Sequence, residues 1–261
     1  MDYEELKVEV DSRGVAYLTL NRPETHNALS ALLIKELQYA CDTLGQSDDI
    51  RVIVLTGSGK TFCAGGDLRW MKSNIGKPRP QRIEESSHLA KLLATLNKLP
   101  KPIIAKVNGP AYGGGVGLLC VCDYAISTAD AKFAFTETRL GLVPATISPY
   151  VLKRIGEANA RRNFLNARVF DAEQALKMEL LAEVVDDDLL NEMVENEIKL
   201  MLKCGPAAVS AAKELIAHIV SHDLKTNEQY STECLADIWE TDEAKNGIDA
   251  FFNKTKPSWI K

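Results

Sequence analysis

Two short glycine-rich stretches, each directly behind an apolar run, constrain this chain more than any other feature. "FCAGGDL" (Phe62–Leu68) follows "RVIVL" (Arg51–Leu55), and "AYGGGVGLL" (Ala111–Leu119) follows "KPIIAKVNG" (Lys101–Gly109). Apolar runs of this length read as buried strands, and each glycine stretch can open a helix. A strand-to-helix turn without side chains leaves amide N–H groups pointing outward, with the helix dipole behind them. Such glycines have two possible uses. They permit close helix–strand packing, or, when two turns aim at one point, they form a hole for a developing oxyanion. One turn alone favours packing; the pair favours the hole.

The rest of the chain alternates strands and helices. Leu6–Val10 and Val15–Leu20 alternate apolar and polar residues around "DSRG", the pattern of a hairpin. Ser30 is placed to cap a helix whose Leu33, Leu37, Ala40, Cys41 and Leu44 form one apolar stripe. The amphipathic "SSHLAKLLATLNKL" separates the two glycine-bearing units. Further strands are expected at Tyr124–Ser127, Lys132–Ala134 and Glu183–Val185, with helical patterns at Tyr150–Ile155 and Ala158–Leu165. This order argues for an α/β fold. From about Asp188 the strand signals stop. Four helical patterns follow, at Leu189–Leu202, Pro206–Val220, Leu224–Trp239 and Thr241–Asn253, with Pro206 suited to a first turn and Thr241 to an N-cap. The expected division is a catalytic core at 1–187 and a helical region at 188–261, the latter a candidate for subunit contacts.

Composition narrows the functional classes. A net charge of -5 without a basic block gives no electrostatic footprint for nucleic acid. "MDYEELKVEV" lacks the regions of a signal peptide and no apolar run approaches a membrane span, so neither membrane nor export is expected, and cytoplasm is the default. Six cysteines make no C-x-x-C; reduced core thiols are expected, and no metal site. "TGSGKTF" ends like a phosphate-binding loop, but that pattern needs glycine where Val54 stands. Nor does "GGGVG" fit a dinucleotide fingerprint, since Leu118 stands three positions after Gly115.

"NRPETHNALS", "FCAGGDLRWM", "VNGPAYGGGVGLLCVCDYAI" and "AFTETRLGLVP" together, in this order and spacing, resemble the enoyl-CoA hydratase/isomerase (crotonase) family over roughly residues 5 to 255. Around "RLGLVPATISPYV" the likeness is to its methylglutaconyl-CoA and carboxygeranoyl-CoA hydratases of branched-chain catabolism. The resemblance implies a crotonase-like spiral of ββα turns and a helical C-terminal trimerisation region, giving a homotrimer or a homohexamer built as a dimer of trimers. It implies an acyl-CoA substrate, with coenzyme A as part of that substrate and no separate cofactor. The amides of Gly66 and Gly114 would form the oxyanion hole, and Glu137 would be the catalytic acid/base. The coenzyme A arm would lie along Glu24, Thr25, His26 and Ala28, then Ala64, Gly65, Asp67, Leu68 and Arg69.

Apolar neighbours at Phe133 and Phe135 would raise the Glu137 pKa by desolvating its charged form. Asp67 has a second reading as the cap of the following helix. Arg22, Arg69 and Lys72 are candidate phosphate or carboxylate partners. The family's second carboxylate would stand where this chain has Gly117, a position expected to line the substrate pocket. Its absence leaves three chemistries open: hydration through one carboxyl, isomerisation between C2 and C4, or protonation of an enolate after decarboxylation. A silent CoA-binding scaffold is the reading from another class. A carboxylate on the substrate would repel an enzyme carboxylate by roughly 4 kcal/mol at 4 Å and an effective dielectric of 20, which favours a branched or carboxylated enoyl-CoA.

Overall fold

The computed structural model describes residues 3–260. Strands β1 (Leu6–Val10) and β2 (Val15–Leu20) form the expected hairpin. Helix α1 (Ala31–Gln46) follows, with the Ser30 hydroxyl accepting from the Leu33 amide at 3.0 Å and the expected stripe fully buried. Then come β3 (Val52–Gly57), α2 (Leu68–Ile75), α3 (Arg79–Lys98), β4 (Ile103–Val107), β5 (Ala111–Tyr112), α4 (Gly114–Cys120), β6 (Tyr124–Thr128) and β7 (Lys132–Ala134). The chain continues through α5 (Ser148–Phe164), β8 (Phe170–Asp171), α6 (Ala172–Lys177) and β9 (Glu183–Val185). It finishes with α7 (Leu190–Leu202), α8 (Pro206–Ile219), α9 (Leu224–Glu240) and α10 (Asp242–Asn253).

Six strands form one sheet in the order β1-β2-β3-β4-β6-β9, parallel apart from the β1–β2 hairpin. Both faces of this sheet are covered, which is why β3 is a continuous apolar run rather than an alternating one. Ile53 and Leu55 face the core built with α1 and α3, while Val52 and Val54 face Leu190, Val194 and Ile198 of α7. Thus α7, although it lies in the helical tail, packs on the sheet. A second sheet of three short strands, β5-β7-β8, stands beside the glycine turns.

The two expected patterns at 150–165 form one helix interrupted at Gly156, whose φ of 72° breaks the helical path between them. Four cysteines are buried, but Cys204 is exposed and Cys234 half-buried, so the expectation of core thiols holds for only part of the set. Among the described residues no helix is long and apolar enough to cross a membrane.

Candidate active site

Both glycine turns leave the C-terminal ends of neighbouring parallel strands, β3 and β4, the position where open α/β sheets gather ligands. In the first turn, Leu29 pairs with Gly66 as a parallel bridge. The Leu29 amide donates to Gly65 O at 2.7 Å, and the Asp67 amide donates to Leu29 O at 3.0 Å. In a parallel bridge the bonds pass through residues on either side of the paired one, so the Gly66 amide points away from Leu29. In the second turn Gly114 begins α4, so its amide is among the first-turn donors with no acceptor inside the helix.

The turns touch. Gly65 has φ of +90°, and a Cβ built on it would stand 2.8 Å from Tyr112 O and 3.5 Å from the Gly114 nitrogen. A Cβ on Gly115 would overlap the carbonyl oxygen of Cys63. Side chains are therefore excluded here first by backbone meeting backbone.

Glu137 is brought to the same place by the small sheet. β5 pairs with β7, and the Gly113 amide donates to Ala134 O at 2.8 Å, three residues before Glu137. The strand then ends in a 3₁₀ turn, Glu137–Leu140. A Cβ on Gly113, whose φ is +47°, would be 2.8 Å from Glu137 Oε1. The other carboxyl oxygen, Oε2, is buried without a hydrogen-bond partner. Burial raises the Glu137 carboxyl above its ordinary value, against a single opposing bond from its own amide. Phe133 and Phe135 are fully buried; Phe133 stacks on Phe170 and Phe135 packs on it at a tilt.

A cleft of about 280 Å³ opens here, lined by Ala64, Gly65, Gly66, Gly113 and Glu137, and walled by Leu68, Met71, Tyr112, Thr136, Arg139 and Leu140. Gly114 is buried one residue further in. Of the other residues assigned to the coenzyme A arm, Ala64 meets the preceding loop directly, its amide donating to His26 O at 2.9 Å. Glu24 and Thr25 lie on a 3₁₀ turn, His26 has φ of 54° with Nδ1 3.2 Å from Thr61 Oγ1, and Ala28 is buried. The loop at 24–28 and the turn at 64–67 are thus adjacent, although Glu24, Thr25, His26, Ala28, Asp67 and Arg69 do not line the cleft.

Two expectations need correction. Gly117 does not line the pocket: a Cβ there would fall inside the Ile147 side chain, so the space a larger residue would fill is already occupied. Asp123, the next acid along, does not substitute either; it accepts from the Ile103 amide at 2.8 Å and pairs with Lys213 at 2.6 Å. Arg22 is not a free partner for phosphate. It bonds Glu5 at 2.8 Å, Asp67 at 3.0 Å and Ala28 O at 2.5 Å.

Asp67 is the N-cap of α2, accepting from the Arg69 and Trp70 amides at 2.8 and 3.2 Å. Burial works against its ionisation, but the Trp70 amide, the Arg22 guanidinium and the Arg69 amide outweigh that and hold it below the ordinary carboxylate value. Cys63, at the centre of the first turn, is no nucleophile, because burial pushes its thiol up to about 12.

Sequence reasoning missed Met71, Tyr112, Gly113, Thr136 and Leu140 as lining residues, and Arg139 as the second charged one. Helical periodicity could have found Met71, three residues after Leu68 and on the same face of α2.

Residues 11–261 match the model of the enoyl-CoA hydratase/isomerase family. The chain is 31% identical over 250 residues to the short-chain-enoyl-CoA hydratase of Clostridium acetobutylicum, covering 95% of this chain and 94% of that one. In three dimensions it is similar to an enoyl-CoA hydratase from Shewanella pealeana, with a TM-score of 0.94, 33% identity and coverage of 98% and 96%. It is similar also to Pseudomonas aeruginosa AtuE, with a TM-score of 0.95, 34% identity and coverage of 99% and 100%. The α/β fold is that of crotonase-type enzymes. The chain belongs to the enoyl-CoA hydratase/isomerase family.

Proposed function

We propose that this enzyme adds water to the C2–C3 double bond of a branched or carboxylated 2-enoyl-CoA, with Glu137 as its acid/base. The observation that carries this reading is the Glu137 carboxyl itself. It is half-buried against Gly113, has one buried and unpartnered oxygen, and stands beside two turns in which the Gly66 and Gly114 amides are free of the strand and helix ladders. As water oxygen adds to C3, negative charge develops on the thioester oxygen, where the Gly66 and Gly114 amides receive it. Each such donor is worth roughly 3 to 4 kcal/mol in the transition state. Glu137 takes a proton from the attacking water and returns one to C2, so the product is a 3-hydroxyacyl-CoA. Its raised pKa suits both halves of this exchange.

The coenzyme A arm runs along 24–28 and 64–69, next to the first turn. Exposed Trp239, Phe251 and Phe252 on the last two helices support assembly of the chain into a homotrimer or homohexamer, which light scattering would test.

Methylglutaconyl-CoA and crotonyl-CoA are the substrates to compare, followed by loss of enoyl absorbance. Glu137→Gln should lower kcat by at least about 100-fold. Full turnover in that variant would overturn the mechanism. Gain of enoyl absorbance from a 3-enoyl-CoA, without hydration of either substrate, would favour isomerisation. Binding of CoA esters without turnover would identify a scaffold.

A further inference from the structure

Glu137 and Arg139 are the two charged side chains among those lining the cleft. They share one 3₁₀ turn whose backbone is tied at several points. The Arg139 amide donates to Thr136 O at 3.1 Å, the Thr138 hydroxyl to Phe164 O at 2.8 Å, the Gly141 amide to Thr138 O at 3.2 Å and the Leu142 amide to Glu137 O at 3.0 Å. The turn therefore fixes the backbone positions from which the carboxyl and the guanidinium extend. Burial is what raises the Glu137 carboxyl. Arg139 is exposed, and the wall around it is apolar: Leu68, Met71 and Leu140. Of the cations flanking the cleft, Arg22 is committed to Glu5 and Asp67 and Lys77 to Glu85, while Arg69 and Lys72 of α2 do not line it.

We propose that Arg139 binds a carboxylate at the far end of the acyl group, making the preferred ligand an ω-carboxylated acyl-CoA. This deepens the carboxylated-substrate reading above and rests on it. The apolar wall takes the carbon chain, the guanidinium takes two carboxylate oxygens in its planar fork, and Glu137 meets the double bond between that end and the thioester. An uncharged acyl group leaves the guanidinium hydrated at no cost, so selection comes from attraction to the carboxylate and not from rejection of the uncharged chain.

The test uses ligands that cannot react, so that it does not depend on which reaction the enzyme performs. Binding of glutaryl-CoA and of pentanoyl-CoA, equal in carbon count and differing in the terminal carboxylate, is measured for the wild type, Arg139→Gln and Arg139→Lys. The wild type is expected to prefer glutaryl-CoA by about 10- to 30-fold. The preference should collapse in the glutamine variant, survive in large part in the lysine variant, and shrink as salt rises from roughly 0.05 to 0.5 M. Equal loss for both ligands and for free coenzyme A would place Arg139 on the coenzyme's phosphates and overturn the proposal. So would a wild type without preference, or a preference that the glutamine variant keeps. Failure of the hydratase reading would show separately, as absence of hydration by a wild type that still discriminates the two ligands.

Discussion

The two glycine turns are held in place by opposite means. The first is held by charge. Asp67 caps α2, an eight-residue helix with no buried residue, and pairs with Arg22, which in turn reaches Glu5; further along, Glu85 of α3 accepts from Trp70 and Lys77 at 3.2 and 2.7 Å. The second is held by shape. Every residue of α4 is buried, Gly115 lies against the Cys63 carbonyl, and Gly117 lies against Ile147. Removing a charge should loosen the first turn, and changing volume should disturb the second.

Volume should have the largest effect. Gly115→Ala places a methyl group on a backbone carbonyl that has no side chain to move aside, so a loss of about 3 kcal/mol in denaturant unfolding is expected. Gly66→Ala is the matching change in the first turn. There the methyl would stand 2.9 Å from Met71 Cε, the end of a flexible side chain, so less than about 1 kcal/mol should be lost. Equal losses at the two sites would remove the distinction.

Charge comes next. Arg22→Gln leaves Asp67 and Glu5 facing each other without a cation, in a setting where all three side chains are largely shielded. A loss of roughly 2 kcal/mol is expected, smaller than for a fully buried pair because part of each group meets water. Since the same bond positions the Gly66 amide, kcat should fall further than KM rises, and Arg22→Lys should recover part of it. A change confined to KM would mean that Arg22 does not position the turn.

The contact between Gly117 and Ile147 should show as coupling. Gly117→Ala alone is destabilising, and Ile147→Ala alone opens a cavity, but together they fit. A double-mutant cycle should return an interaction of about 1 to 2 kcal/mol. Additivity would mean that the two residues do not share that space. It follows that a carboxylate introduced at position 117 needs Ile147 shortened as well.

This contrast also marks what could be read without the fold. Local signals placed β1, β2, β7 and β9 to the residue, and the Ser30 cap and the stripe of α1 behaved as their pattern required. The two-residue strands β5 and β8 left no periodicity to read. The start of α6 was legible and overlooked: Asp171 and Gln174 form a capping box, a four-residue signal. The glycine turns themselves were plain, because a run of glycines behind an apolar strand has few uses. What holds them was not. The Glu5–Arg22–Asp67 clamp and the Ile147–Gly117 contact join segments far apart in the chain, and no local pattern carries that information. The same gap allowed Gly117 to look like an opening when it is filled.

The smallest expected effect concerns Glu137, which leans on the shape-held turn and is itself a strained charge. Its pKa is raised in the folded protein by burial, so the folded state binds its proton more tightly than the unfolded chain does. Stability tied to that proton is complete below the unfolded value near 4.5 and is lost as pH rises through the folded value. Glu137→Gln removes the ionisable group while keeping its shape. At pH 4 the variant and the wild type should melt together; at pH 8 the variant should melt higher, by about 1 to 2 °C, although it has lost its activity. A variant that melts lower at pH 8 than the wild type would mean that the ionised carboxylate is held by a partner. Its unpartnered oxygen could then no longer be read as the open acceptor of the site.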